Sequence, residues 1–167
     1  MSRVLLLRHA KAGWALPGMR DFDRPLDEAG QRDARAMGVA MSRHGYLPAA
    51  IFCSSALRAR QTLEGVASSF DAVATTHSDA LYSTDAAGYV DVIRGCGSAE
   101  SVLLVGHNPM MEDVGTALSG SGDPDARNVL AGGFPTAGLA IIRFDGRLSE
   151  VSPGNGYLEA FLTPTDA

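Results

Sequence analysis

Val4-Leu5-Leu6-Leu7-Arg8-His9-Ala10-Lys11 decides how this chain is read. Four apolar residues stop abruptly at a cation and an imidazole, and a second cation comes two positions later. A short, unbroken apolar run near a terminus reads as a strand buried on both faces of a parallel sheet. Such a strand delivers the residues after it to the carboxyl edge of the sheet, where open α/β folds bind their ligands. Arg8 and His9 are then placed to offer a nucleophile and positive charge to an anion. Taken alone, an Arg-His pair is more simply a polar strand end, with Arg8 in water and His9 on a carbonyl. The stronger reading needs partners elsewhere in the chain.

Outward from this stretch, residues 12–25 form a long loop with a Pro17-Gly18 turn, and long loops tend to be lids or binding segments. Asp21 and Asp23 lie there among Arg20 and Arg24, and without further ligands they read as solvated or Arg-paired carboxylates rather than a metal set. A helix comes next over 26–44, capped by Asp27 and stopped at Gly45, with Ala34, Met37, Ala40 and Met41 on its apolar stripe. His44 suits the negative end of that helix. A second strand is expected over 49–53. The helix after it runs through Phe70 and buries Leu63, Val66, Ala67 and Phe70. Arg58 and Arg60 fall near the start of this helix, where the dipole disfavours cations unless an anion sits there too.

A third strand is expected over 74–78, with His77 read as structural, and a helix over 85–94. The fourth strand, 101–105, ends in Gly106-His107-Asn108-Pro109, with Asn108 as N-cap and Pro109 as first residue of the next helix. His107 thus occupies the same topological position as His9. Residues 119–137 read as a Gly-, Asp- and Pro-rich loop, with Gly120-Ser121-Gly122 as flexible linker. Strands over 138–144 and 147–151, joined at Asp145-Gly146, read as a hairpin on the sheet edge.

Composition bounds the function. The 167 residues suit one domain, 1–167, with a sizeable core; 46% are hydrophobic and 20% charged, which are globular values. A net charge of −5 argues against nucleic acid as a partner, so an anion site must be a local basic pocket. No stretch is long and apolar enough to span a membrane, and Met1-Ser2-Arg3 leads straight into a strand, so the expected location is cytoplasmic. Cys53 and Cys96 read as reduced thiols, and no zinc spacing occurs.

Strand and helix alternate, so the expected class is α/β with a largely parallel sheet. Arg8, His9, Arg58 and His107 are then offered to one crevice. Guanidiniums match phosphate oxygens bidentately, a neutral imidazole can attack phosphorus, and further donors stabilise charge on the transferring group. Neighbouring cations are expected to keep His9 neutral.

The chain here resembles the histidine phosphatase superfamily. Leu7-Arg8-His9-Ala10 is similar to its signature, Ser54-Ser55-Ala56-Leu57-Arg58-Ala59-Arg60-Gln61-Thr62 to its second motif, and Val105-Gly106-His107-Asn108-Pro109 to its third. Asp23-Arg24-Pro25-Leu26 and Phe134-Pro135-Thr136 resemble the small phosphohistidine phosphatases called SixA. The resemblance implies a three-layer α/β/α sandwich of the phosphoglycerate mutase type, with a mostly parallel sheet and an antiparallel edge strand. It implies His9 as the phosphorylated nucleophile, Arg8 and Arg58 as phosphate binders, His107 as a donor to the phosphoryl group, and no metal or cofactor. One departure bears on substrate. Branches acting on phosphate esters carry an acidic proton donor, usually Glu, after the third strand, whereas residues 81–94 hold only Asp85 and Asp91. General-acid help is worth roughly 10²–10⁴-fold to an alkoxide leaving group. An imidazole leaving from phosphohistidine can already carry its proton. The expected substrate is therefore a phosphohistidine-bearing protein. A small-molecule phosphomonoesterase using Asp85, or a non-catalytic phosphate-binding module, is the alternative.

Overall fold

The computed structural model describes residues 1–167. Its centre is β1 (Ser2–Arg8), and the alternation of its side chains divides the core. Val4 and Leu6 face one apolar cluster and Leu5 and Leu7 the other, all of them essentially without solvent contact. A loop carrying a short 3-10 turn (Asp21–Asp23) leads to α1 (Glu28–His44), whose Asp27 side chain caps Gly30 and whose Gly45 ends it in the left-handed conformation. Then come β2 (Ala50–Ser54), α2 (Leu57–Ala67), β3 (Thr75–Ser78), the single turn α3 (Ala80–Ser83) and α4 (Ala86–Gly95). β4 (Ser101–Gly106), α5 (Met110–Leu118), β5 (Ser119–Gly122) and α6 (Pro124–Ala131) are next, and β6 (Leu139–Phe144) and β7 (Gly156–Leu162) complete the chain.

The strands form one seven-stranded sheet in the order β3-β2-β4-β1-β6-β7-β5. Only β6 runs against the rest; it pairs antiparallel with β1 on one side and β7 on the other. Met37 and Met41 of α1 and Leu63 and Val66 of α2 cover one face. Tyr89 and Ile93 of α4, Met111, Val114 and Leu118 of α5 and Leu130 of α6 cover the other. This is the expected α/β/α sandwich with a mostly parallel sheet.

The last third differs from the sequence expectation. Of residues 119–137 only the last six, 132–137, are loop. Ser119–Gly122 is the edge strand β5, parallel to β7, and Asp123 caps α6 by accepting from Ala126. Residues 147–151 are not a strand either: Leu148–Glu150 is a 3-10 turn closed by Glu150 Oε1, which accepts from Arg147 N–H at 3.2 Å. The antiparallel partner of β6 is β7, further along the chain. The antiparallel side of the sheet is where expected, but β6 itself lies two strands in from the edge.

β2, β4 and β1 are neighbours and parallel, so their carboxyl ends lie together on one rim. His9 comes directly after β1, His107 directly after β4, and Ser54 ends β2 just ahead of α2.

Candidate active site

On that rim the His9 and His107 rings stand 5.2 Å apart, centroid to centroid, tilted by 55°. The His9 backbone is fixed from both sides: its N–H donates to Gly106 O at 3.0 Å and its carbonyl accepts from Ala137 N–H at 3.2 Å. Ala10 N–H donates to Thr62 Oγ1 (2.9 Å), and that hydroxyl donates to Arg58 O (2.7 Å), tying the turn after β1 to α2. His9 Nδ1 lies 2.7 Å from Ala10 O. A carbonyl only accepts, so Nδ1 holds the proton and Nε2 keeps its lone pair.

His107 is buried. Its N–H donates to the Tyr89 hydroxyl at 3.2 Å, and that hydroxyl donates to Leu81 O at 2.7 Å. Any side chain at Gly106 would collide with the same Tyr89 oxygen, so the glycine before His107 is required by packing. The His107 ring holds Ser54 Oγ at 2.8 Å through Nε2, while Nδ1 is buried with no partner.

The two guanidiniums are each anchored at one end. Arg8 Nη1 donates to Phe134 O at 2.7 Å, on the segment between α6 and β6. Arg58 is 7% exposed and grips Asp21 twice, through Nη1 to the backbone carbonyl (2.8 Å) and Nη2 to Oδ2 (3.0 Å). In both residues Nε is buried without a partner. Arg8 Nε, Arg58 Nε and His107 Nδ1 are three of the four buried side-chain nitrogens and oxygens left unpaired in the protein. Buried polar groups are nearly always satisfied, so three orphans on the residues beside one free imidazole form a candidate cradle, of a chemistry that suits a tetrahedral anion.

Asp21 is the counter-charge of this cup. Besides Arg58, it accepts from Arg24 Nη1 (2.9 Å, on Oδ1) and from the Tyr82 hydroxyl (2.8 Å, on Oδ2). The Tyr82 ring stands edge-on to His107 at 5.5 Å and under the Arg58 guanidinium at 5.8 Å. Hydrogen bonds from Arg24, Tyr82 and Arg58 hold the Asp21 carboxyl far below the usual range, and the hydrogen bond to Asp21 raises the Tyr82 phenol. Neither group yields a proton readily at neutral pH. Burial lowers His9 to about 4, with Arg58, Arg8 and Arg24 adding to the effect. Burial likewise lowers His107 to about 3, with His9 and Arg58 next. Both imidazoles are neutral at physiological pH. Burial, more than the neighbouring cations expected from sequence, keeps them so.

All four residues singled out from the sequence, Arg8, His9, Arg58 and His107, meet on this rim. Arg60 does not join them; it is exposed and donates to Ser55 O. Arg20 and Arg24 pair with Asp23 and Asp21, as the carboxylate reading expected. Asp85, the acid that an ester-hydrolysing site would call on, caps α4 by accepting from Gly88 N–H at 3.0 Å. Asn108 supplies its cap from one position earlier than expected: α5 begins at Met110, and Asn108 Oδ1 accepts from Glu112 N–H. Ser54 opens the stretch similar to the second motif but has no role assigned from sequence, and Tyr82 and Tyr89 carry no sequence signal that marks them as site residues. No group of three or more His, Cys, Asp or Glu side chains is clustered as a metal would need, and no helix is long and apolar enough to cross a membrane.

Comparison with known proteins agrees with this geometry. Residues 4–91 match the family model for the histidine phosphatase superfamily, branch 1. The uncharacterised protein Rv1276c of Mycobacterium tuberculosis is 34% identical over 163 residues, 95% of this chain and 99% of that protein. A solved structure from Agrobacterium tumefaciens, provisionally named phosphohistidine phosphatase SixA, superposes with a TM-score of 0.85 over 98% of both chains at 38% identity. The protein histidine phosphatase SixA complexed with tungstate shares the fold, with a TM-score of 0.77 over 98% of both chains at 21% identity. The motifs, the rim they build and these likenesses together make the chain a phosphatase of the histidine phosphatase superfamily, branch 1, of the SixA type.

Proposed function

We propose that this phosphatase removes phosphate from phosphohistidine on a protein, without a metal, through a phosphorylated His9. His9 Nε2 attacks phosphorus, the bond from phosphorus to the substrate nitrogen breaks, and that imidazole leaves with the proton it already carries. Water then attacks the phosphorus on His9, releasing inorganic phosphate and restoring the neutral imidazole. Arg8 Nε, Arg58 Nε and His107 Nδ1 bind the equatorial oxygens in both steps. The observation that carries this reading is the set of buried, unpartnered donors around an imidazole whose Nε2 is free.

The substrate class rests on proton supply. Asp21 is held as a carboxylate by its three donors, and Asp85 is spent on a helix cap. A leaving group that needs no external acid suits such a site best. A protein partner also suits the loop that carries Asp21, because it holds Trp14 (93% exposed) and Leu16 (66% exposed) out to solvent. Exposed aromatic and aliphatic anchors are typical of protein-binding surfaces.

The test compares turnover of a phosphohistidine protein or peptide with that of several sugar phosphates, in the presence of a metal chelator. Preferred hydrolysis of the phosphohistidine substrate is expected, with an acid-labile phosphoenzyme that His9→Ala abolishes. Equal or faster turnover of sugar phosphates, labelling that persists in His9→Ala, or loss of activity to the chelator overturns it.

A further inference from the structure

The geometry points to Ser54 as the residue that fixes the His107 tautomer, holding the ring proton on Nδ1 so that His107 can donate to the phosphoryl group. The role rests on the proposed function of His107, but the tautomer can be measured without it. The argument is an accounting of one hydroxyl. Ser54 has no solvent exposure, so its O–H must find an acceptor within the protein. Its Oγ accepts from Ala56 N–H at 3.3 Å, and its one other side-chain partner is His107 Nε2 at 2.8 Å. If Nε2 carried the proton and donated, the serine hydrogen would have nowhere to go. The Ser54 hydroxyl therefore donates to a bare Nε2, and a neutral imidazole with a bare Nε2 has its proton on Nδ1. Nδ1 is the buried, unpartnered atom of the cradle. The opposite tautomer would orphan two groups and aim a lone pair at the phosphoryl oxygens.

Ser54 touches no reacting atom and is a positioning residue. Its own placement comes from the fold: it ends β2 beside β4, and His107 is the residue directly after β4. The Ala56 N–H belongs to the turn into α2, so the serine is oriented by the same segment that delivers Arg58.

The experiment reads the ring nitrogens directly. In ¹⁵N-labelled protein at pH 7, without substrate, long-range proton–nitrogen correlation distinguishes a protonated from a bare ring nitrogen, and His107→Asn identifies the His107 signals by their loss. The expected wild-type pattern is a protonated Nδ1 and a bare Nε2. In Ser54→Ala the Nε2-protonated form is expected to appear. There kcat for a phosphohistidine peptide falls roughly 10–100-fold, by analogy with metal-ligating histidines that lose the hydrogen bond orienting them. Ser54→Thr, which keeps the hydroxyl, retains the Nδ1-protonated form. A protonated Nε2 in the wild type overturns the assignment, as does a Ser54→Ala protein that keeps the wild-type tautomer. If Ser54→Ala does not fold, the wild-type spectrum decides alone. A wild type with the expected tautomer that leaves phosphohistidine untouched refutes the proposed substrate and leaves the Ser54 assignment standing.

Discussion

The two site histidines make stability depend on pH in a calculable way. Both are neutral in the folded protein, His9 near 4 and His107 near 3, against an ordinary 6.5 when unfolded. A depressed histidine means that the unfolded chain binds more protons wherever the pH lies between the two values. Stability is therefore fully present above about 6.5 and declines as pH falls toward the folded values. At pH 5 both rings are still neutral in the native state and almost fully charged in the unfolded one. Each histidine then removes about 2 kcal/mol between pH 7 and pH 5. Together that is a large share of the roughly 5–15 kcal/mol of an ordinary domain. The depressed Asp21 works in the opposite sense of charge and loses its contribution only near and below the ordinary carboxylate range, so it leaves this window undisturbed. Urea unfolding followed by circular dichroism at pH 7, 6 and 5 measures the effect. His9→Asn should lose about 2 kcal/mol less than wild type over that interval. An identical decline in wild type and variant would refute the claim that His9 is held neutral by burial.

Other perturbations test the remaining supports. Arg58→Ala should lower kcat roughly 10²–10³-fold, the usual cost of removing one donor from a charge-stabilising site; steady-state kinetics on the phosphohistidine substrate checks it, and an unchanged rate rejects the role of Arg58. Tyr89→Phe leaves the His107 N–H and the Leu81 carbonyl buried without their shared hydroxyl, and should cost about 1–3 kcal/mol of stability in urea titration. Trp14→Ser with Leu16→Ser should raise KM for a phosphorylated protein at least about fivefold, in line with losing an interface anchor worth more than about 1 kcal/mol. The same pair should leave turnover of a small aryl phosphate unchanged, and an equal effect on both substrates removes the loop from protein recognition.

The legible parts of the sequence were those whose signal is local. An unbroken Val-Leu run cannot be a surface segment, and Asp27 and Gly45 bracket α1 with capping chemistry that acts within a turn. The polar residues after β1 and β4 were legible as a site because parallel neighbours must end on the same rim. The illegible parts depend on distant partners. Gly120-Ser121-Gly122 has little strand propensity and is a strand because β7 supplies its ladder, with Gly154 and Leu158 packed too close to admit side chains at Gly120 and Gly122. Arg147–Val151 has the spacing of a strand but closes on itself through Glu150, and the β7 sequence hides a charge, Glu159, that is answered by Arg3 and Arg143. Tyr82 lies 61 positions from the Asp21 that it touches, and no pattern within either segment announces the contact.

Because β1 lies between β4 and β6, His9 is held by residues far from it along the chain. Gly106 grips its backbone from one side, Ala137 from the other, and Phe134 steadies Arg8. A break opened near Asp123 would leave Arg8, His9, Arg58 and His107 on one piece and the Phe134 and Ala137 backbone groups that steady two of them on the other, so turnover regained on mixing the pieces would report their reassembly.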